Sequence, residues 1–134
     1  MKTQNIILTD IWKIIKASPI NNLNGEVYKK TRPTDSELED CVISLIGGGN
    51  AKFLQSSALY VKIFYKDIFF NNSFFEDDQN GQVKEQLLYD LSETLLKTSG
   101  YSFDIESRET YTEAVREINQ HYAILKMNFQ LTKD

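Results

Sequence analysis

The segment SSALYVKIFYKDIFF, from Ser56 to Phe70, decides how the rest of the chain is interpreted. Its side chains alternate between two faces of an extended chain. One face carries Leu59, Val61, Ile63 and Tyr65, and the other carries Tyr60, Lys62, Phe64 and Lys66. A two-residue period made of β-branched and aromatic residues is typical of a β-strand with one buried face. We therefore predict that this segment is the central strand of a sheet.

An aromatic and acidic segment follows this strand directly. It comprises Phe69, Phe70, Phe74, Phe75, Glu76, Asp77 and Asp78. The phenylalanines could cover the end of the core where the strand leads into the next helix. Alternatively, some of them stay exposed as a patch that binds a partner, because aromatic residues with polar surroundings are enriched at interfaces. Four phenylalanines interrupted by Asn71, Asn72 and Ser73 do not all fit inward, so we treat the seven residues as a candidate protein interface.

Two segments have the periodicity of amphipathic helices. The first contains Leu8, Ile11, Trp12 and Ile15 and ends at Ser18-Pro19, since the residue before proline avoids the helical region. Trp12 is expected to anchor its packing. The second carries the apolar residues Val83, Leu87, Leu88, Leu91, Leu95 and Leu96. Asp77, Asp78 and Asn80 are its candidate N-cap residues, and Gly100 follows its end.

The remaining periodic segments predict strands. They are 26–32, the apolar CVISLI at 41–46, the alternation that begins at Tyr101, and 121–131 with Ala123, Leu125, Met127, Phe129 and Leu131 on one face. Residues 112–120 fit either a short helix or a long hairpin connection. The resulting order, α-β-β-β-α-β-β, predicts a single α+β domain over residues 1–134. We expect one antiparallel or mixed sheet of four to five strands, with two main helices on one face.

A glycine-rich run, Gly47 to Asn50, follows the CVISLI strand. Bare backbone amides in such a run can hold a phosphate. The spacing of neither common phosphate-binding motif is present, because Lys52 is followed by Phe53. The run is therefore interpreted as the loop of a hairpin that leads into the central strand.

Composition and charge narrow the class of protein. The 134 residues are 41% hydrophobic and 25% charged, which is ordinary for one globular domain with its own core. The chain has 15 basic and 19 acidic residues, and its net charge of -4 disfavours a protein that holds nucleic acid by its phosphates. The closest basic cluster, Lys29, Lys30 and Arg32, is typical of solvated strand positions. We expect no specific nucleic-acid binding.

The cysteine content and the N-terminus indicate where the protein is made. Cys41 is the only cysteine, which rules out an internal disulfide and fits a reducing compartment. It begins an apolar strand, so we expect a buried thiol. The first residues lack a signal-peptide pattern, and no apolar run approaches a membrane span. We expect a protein that is cytoplasmic when made and does not bind membranes.

The sequence offers no recognisable catalytic equipment. His121 is the only histidine, and a lone base needs a positioned partner that the sequence does not reveal. The acidic run does not fit a calcium loop: with Asp77 in the first position, Gln82 takes the place of the required glycine and Leu88 that of the required glutamate. We therefore expect no enzymatic activity, no metal and no cofactor.

The order of these elements resembles the tail-terminator, or tail-completion, proteins of long-tailed phages and related prophages. The resemblance is carried by a short first helix ending at Ser18-Pro19, then GEVYKKTRPTDSELEDCVISLIGGGN, SALYVKIFYKD, NGQVKEQLLYDLSETLLK and HYAILKMNFQL. The Val-Tyr and Arg-Pro pairs, followed by a loop and Asp-Cys-Val-Ile, are similar to the first hairpin of that family.

The resemblance implies a small α+β subunit without enzymatic activity that assembles into a ring, typically a hexamer. Such a ring caps the head-proximal end of the tail tube and joins it to head-completion proteins, so that the subunit becomes part of a virion or phage-like particle. An acidic channel wall would let DNA pass without binding it, and the net charge of -4 is compatible with that. The alternative is a small α+β interaction module unrelated to virions, of the adaptor or immunity type, for which the aromatic and acidic segment would serve equally well.

Overall fold

The alternating segment forms the longest strand in the first half of the fold and lies at the centre of the sheet. A computed structural model describes residues 2–46 and 57–132. The helices are α1 (Gln4–Lys16) and α2 (Asp78–Leu96). The strands, in chain order, are β1 (Val27–Lys29), β2 (Cys41–Ile46), β3 (Ser57–Lys66), β4 (Ile68–Phe70), β5 (Ser73–Phe75), β6 (Tyr101–Phe103), β7 (Glu109–Val115) and β8 (Gln120–Leu131). Short 3-10 turns lie at Pro19–Asn22, Ile105–Ser107 and Arg116–Ile118.

The main sheet has six strands and is mixed. Its order is β1-β2-β3-β8-β6, and β7 pairs with β8 on the same side as β6. Strand β1 runs parallel to β2, whereas the other pairings are antiparallel. Strands β3 and β8 form the longest ladder, from Ser57 opposite Phe129 to Lys66 opposite Gln120. The α+β class and the central position of β3 are thus confirmed, whereas a single sheet of four to five strands was wrong.

Both helices pack into one core with the inward residues of the sheet. Residues that are almost fully buried there include Ile7, Ile11 and Ile15 of α1, Leu88 and Leu95 of α2, Leu59, Val61 and Ile63 of β3, and Leu125 and Phe129 of β8. Trp12 packs at the edge of this core and donates its indole N–H to the carbonyl of Val27 at 3.0 Å. The apolar face of the alternating strand therefore meets both predicted helices.

The first two turns of α2 depart from the predicted apolar stripe. Val83 is exposed, whereas Lys84 beside it is buried and pairs with Glu39 at 2.8 Å. Asn80 also contacts both residues of this pair. The stripe meets the core from Leu87 and Leu88 onward, because the first two turns lie against the polar segment before β2.

The first two strands do not form the hairpin that the resemblance suggested. They are parallel, with Val27 opposite Cys41. The chain between them folds back along the sheet, so that Cys41 N donates to Glu26 O at 2.9 Å. The buried Asp40 accepts from Glu26 N at 3.0 Å, and Gly25 allows this approach because a β-carbon there would lie 2.5 Å from the Glu39 carbonyl oxygen. The Asp40 carboxylate, which accepts from the backbone amide of Glu26, therefore holds the start of β2 beside β1 in place of a tight turn.

The predicted element order also missed three strands. The segment predicted as one central strand up to Phe70 is divided, because β3 ends at Lys66 and Ile68–Phe70 forms the separate strand β4. Strand β5 lies in the aromatic and acidic segment, and β7 covers part of the undecided residues 112–120. That undecided segment is a hairpin connection: β7 ends at Val115, a 3-10 turn follows, and Asn119 with a φ of 54° leads into β8. The alternation after Tyr101 stops at Phe103, because Ile105 lies in an exposed turn.

Two further predictions concern the glycine-rich run and membrane-spanning segments. The glycine-rich run Gly47 to Asn50 lies outside the described residues, while the strands on its two sides pair antiparallel with Ile46 opposite Ala58. Within residues 2–46 and 57–132, neither helix has the length and apolar character needed to cross a membrane.

Candidate protein interface

The four phenylalanines of the candidate interface lie on a small hairpin made of β4 and β5, which we call the aromatic hairpin (Ile68–Phe75). Among residues 2–46 and 57–132, its two strands pair only with each other. The connecting residues Asn71 and Asn72 have φ values of 51° and 60°. Two consecutive residues with positive φ define the tight turn that matches the twist of a hairpin, and asparagine tolerates this conformation. The Asn-Asn pair therefore signals a hairpin turn that the sequence interpretation overlooked.

The aromatic hairpin exposes its apolar side chains on both faces. The exposed fractions are 60% for Phe69, 64% for Phe70, 49% for Phe74 and 53% for Phe75. Phe69 and Phe74 face each other across the strands with ring centroids 4.9 Å apart. None of the four belongs to the buried core. The interpretation that they cover the end of the core is therefore wrong, and they lie at the surface of the described chain.

A polar network at the base of the aromatic hairpin joins it to the main sheet. His121 at the start of β8 lies between the two ends of the hairpin: its Nδ1 is 2.6 Å from Oδ1 of Asp67, and its Nε2 is 3.5 Å from Oε1 of Glu76. Asp67 N also donates to Asn119 O at 3.1 Å. An isolated two-stranded hairpin is marginally stable in water, so these ties fix its orientation.

Tyr65, the last inward residue of β3, extends this network into the core. Its hydroxyl donates to Oε2 of Glu76 at 2.8 Å. Burial raises the pKa of the Tyr65 phenol, and the hydrogen bond to Glu76 raises it further. Gly81 of α2 leaves room for this bond, because a β-carbon there would lie 2.6 Å from the Tyr65 oxygen. The core, the helix and the hairpin therefore meet at this hydroxyl.

The three acidic residues after the hairpin have different roles. Glu76 belongs to the network just described. Asp77 is the N-cap of α2 and accepts from Asn80 N at 3.1 Å, as the capping prediction required. Asp78 is exposed in the first turn of the helix, where a negative charge is favourable. The acidic run is thus partly structural, and it keeps a negative surface beside the phenylalanines.

The sequence interpretation missed the partners of His121, since they come from segments 45 and more residues away in the chain. A polar groove of about 540 Å³ lies beside this residue and is also lined by Ser73 and Arg116. The imidazole contacts Asp67 through Nδ1 and faces Glu76 through Nε2, so it links the start of β8 to both ends of the aromatic hairpin. In residues 2–46 and 57–132, no three His, Cys, Asp or Glu side chains are grouped to hold a metal ion.

A second surface lies on the face of the sheet opposite the helices. Here aromatic and cationic side chains stack: Arg32 lies 3.9 Å from the Phe64 ring centroid, and Lys62 Nζ lies 4.6 Å from that of Tyr122. Next to them is a depression of about 380 Å³, which we call the sheet groove, lined mainly by Arg32, Pro33, Val42, Lys62, Phe64 and Ile118. The aromatic and basic residues on the outer face of β3 were its only sequence signal, because the other walls come from distant segments.

Cys41 belongs to the buried core and not to either of these two surfaces. It is buried, as predicted, and burial raises the pKa of its thiol, with nearby Asp40 adding to the effect. A thiol held protonated in the core is a packing group rather than a nucleophile.

No protein-family model matches the chain, and a search of curated proteins finds no match. The two surfaces described above therefore carry the argument about function.

Proposed function

We propose that this protein is a structural subunit that assembles with copies of itself into a ring, in the manner of the phage tail terminators that its sequence resembles. The observation that carries the proposal is the aromatic hairpin, which exposes four phenylalanines yet is tied to the fold at its base. An apolar projection with no internal packing role is favoured when another surface covers it. The α+β fold with two helices on one core supports the same proposal.

The size of the hairpin fits an interface that needs more than one contact. Covering a phenylalanine buries roughly 150–250 Å², so four half-exposed ones offer roughly 400 Å². A stable protein interface takes roughly 800 Å² from each partner. The hairpin thus supplies about half of one side, and neighbouring surface must supply the rest. In a ring, every subunit contacts two neighbouring copies, so the same chain can supply this additional interface area without an unrelated partner.

In this proposal the ring caps a tail tube and contacts tail-tube and head-completion proteins. The protein would then be found on a virion or phage-like particle after its synthesis in the cytoplasm. The net charge of -4 suits a channel through which DNA passes, because an acidic wall does not retain phosphates.

The mass of the protein in solution tests the proposal. We expect particles of several subunits, of hexamer size, at high protein concentration or on addition of tail-tube protein, measured by light scattering and by negative-stain electron microscopy. The Phe74→Ala/Phe75→Ala variant should stay monomeric with nearly unchanged thermal stability. Val83→Ala, which removes an equally exposed apolar side chain on α2, serves as the control and should still assemble.

Wild-type protein that stays monomeric at high concentration, and that binds no tail-tube protein, would contradict the proposal. Binding to an unrelated protein by the same hairpin, without self-assembly, would instead favour an interaction module. The position of the gene among head-completion and tail-tube genes would separate the two by an independent route.

A further inference from the structure

We infer that the aromatic hairpin of one copy docks in the sheet groove of the next copy, an inference that rests on the proposed self-assembly. The groove and the hairpin are different surfaces of the same chain, so a contact between them is head-to-tail. Contacts of that kind close into rings when the rotation between neighbours permits it. The proposed ring thereby gains a specific acceptor surface.

The shape and chemistry of the sheet groove suit aromatic side chains. Its volume of about 380 Å³ falls within the range of ordinary ligand pockets. Pro33, Val42 and Ile118 provide carbon surface on its walls. Phe64 adds an aromatic ring, and aromatic rings favour contact with one another in offset or edge-to-face arrangements. The phenylalanines of a neighbouring copy would thus contact apolar and aromatic groove walls.

The groove is also held in one conformation before anything binds. Arg32 is 8% exposed, stacks on Phe64 and pairs with the buried Asp40 at 3.3 Å. Its guanidinium donates to the carbonyl of Ser36 and, at 3.2 Å, to Oε1 of Gln120 in β8. A preformed site loses little conformational entropy on binding, which favours docking of a rigid hairpin.

The charges of the two surfaces are complementary. The residues that line the groove include Lys30, Arg32 and Lys62 but no aspartate or glutamate. Arg32 is neutralised by Asp40, while Lys30 and Lys62 have no acidic partner within the described ranges 2–46 and 57–132. The aromatic hairpin, by contrast, is followed directly by Glu76, Asp77 and Asp78. On a chain of net charge -4, this local basic surface directs the acidic end of a neighbouring hairpin toward it.

Mixing two variants tests the inference. Phe69→Ser/Phe74→Ser removes the donor surface and leaves the groove intact, whereas Lys62→Glu/Ile118→Glu reverses the groove charge and leaves the hairpin intact. Each variant alone should be monomeric in sedimentation velocity. An equal mixture should form a heterodimer and stop there, because only one hairpin and one groove remain functional. Lys126→Glu, on the same sheet face beside Tyr60 but outside the groove, should assemble as the wild type does.

A crosslinking experiment checks the same contact without disturbing the groove charge. Phe74→Cys chains mixed with Ile118→Cys chains should form a disulfide-linked heterodimer on oxidation, while the buried Cys41 does not react. Val83→Cys in place of Phe74→Cys should give no such product.

The outcomes separate the two proposals. If the wild-type protein is monomeric, that result contradicts the proposed function. Assembly of the groove variant, or the absence of both heterodimer and crosslink, overturns the docking inference while self-assembly stands. A wild type that stops at two copies contradicts both the ring and the head-to-tail contact, because a head-to-tail pair leaves one hairpin and one groove free to bind further copies.

Discussion

Strand β3 and the aromatic hairpin are adjacent in the chain and similar in composition, yet one is the centre of the core and the other lies in solvent. Strand β3 pairs with β2 on one side and β8 on the other, and both helices cover its inner face. The strands of the hairpin, in the part of the chain that the structure describes, pair only with each other. The difference teaches that apolar character alone does not determine burial: a strand is buried when neighbouring strands and helices cover it.

The boundary between these two regions is sharp. Tyr65 is 1% exposed, whereas Phe69 is 60% exposed four residues later. Between them, Asp67 follows the last pair of the ladder, Lys66 opposite Gln120, and its carboxylate contacts His121. The contacts of His121 with Asp67 and Glu76 hold the hairpin in place just after β3 ends.

The largest expected contrast is in stability. Ile63→Ala in β3 removes a fully buried side chain, and its cavity should cost about 2–5 kcal/mol, which is roughly 10 °C or more in melting temperature. Phe74→Ala in the hairpin should change the free energy of unfolding by only about 0.5 kcal/mol, because no core packing is lost. Circular dichroism melts of both variants measure the difference.

These melts should be made at a protein concentration at which the wild type is monomeric, since assembly also raises the apparent melting temperature. If Phe74→Ala lowers the melting temperature as much as Ile63→Ala does, the hairpin is part of the cooperative core, and the distinction between the two regions fails.

A smaller effect is expected at the boundary itself. Gly81→Ala in a helix normally stabilises by about 1 kcal/mol. Here the new β-carbon would lie 2.6 Å from the Tyr65 oxygen, so the hydroxyl must leave Glu76. A hydrogen bond to a charged group contributes about 1.5–3 kcal/mol, and we therefore expect a net loss of about 1 kcal/mol in urea unfolding.

The matched control for that loss is Tyr65→Phe. Without the hydroxyl, the nearest ring carbon lies 3.2 Å from the new β-carbon, which a small shift accommodates. In the Tyr65→Phe background, Gly81→Ala should be neutral or stabilising, so that a double-mutant cycle gives a coupling of about 1–2 kcal/mol. Additive effects of the two substitutions would show that the hydroxyl does not link the helix to the hairpin base.

The sequence predicts the strands and helices with a buried face well, and the strands without one poorly. Alternation fixes the inward residues of β3 and β8, and the helical stripes of α1 and most of α2 are correct, since burial imposes a period on a sequence. Strands β4 and β7 lack a buried face, so their residues need not alternate. The parallel pairing of β1 with β2 depends on the buried carboxylate of Asp40, which no periodicity reveals.

The candidate interface shows the same division. The seven residues could be named from composition, because aromatic and acidic side chains are visible in the sequence. The residues that hold the hairpin in place could not be named from composition, since Tyr65, Asp67 and His121 come together only after β3 and β8 have paired. The sheet groove was missed for the same reason: its walls come from the segment after β1, from β2 and β3, and from the turn after β7.

The smallest expected effect concerns the turn of the aromatic hairpin. Asn72→Gly keeps a residue that accepts positive φ and gives the Asn-Gly pair favoured in such turns. The change should leave the global melting temperature within about one degree, because local opening of the hairpin does not involve the core. Hydrogen exchange of the β4 and β5 amides should nevertheless become slower by a few-fold. Asn72→Val, which disfavours positive φ, should accelerate the same amides by about tenfold while β3 exchanges unchanged. Equal changes in β3 would mean that the hairpin and the core open as one unit, which the exposure of its phenylalanines argues against.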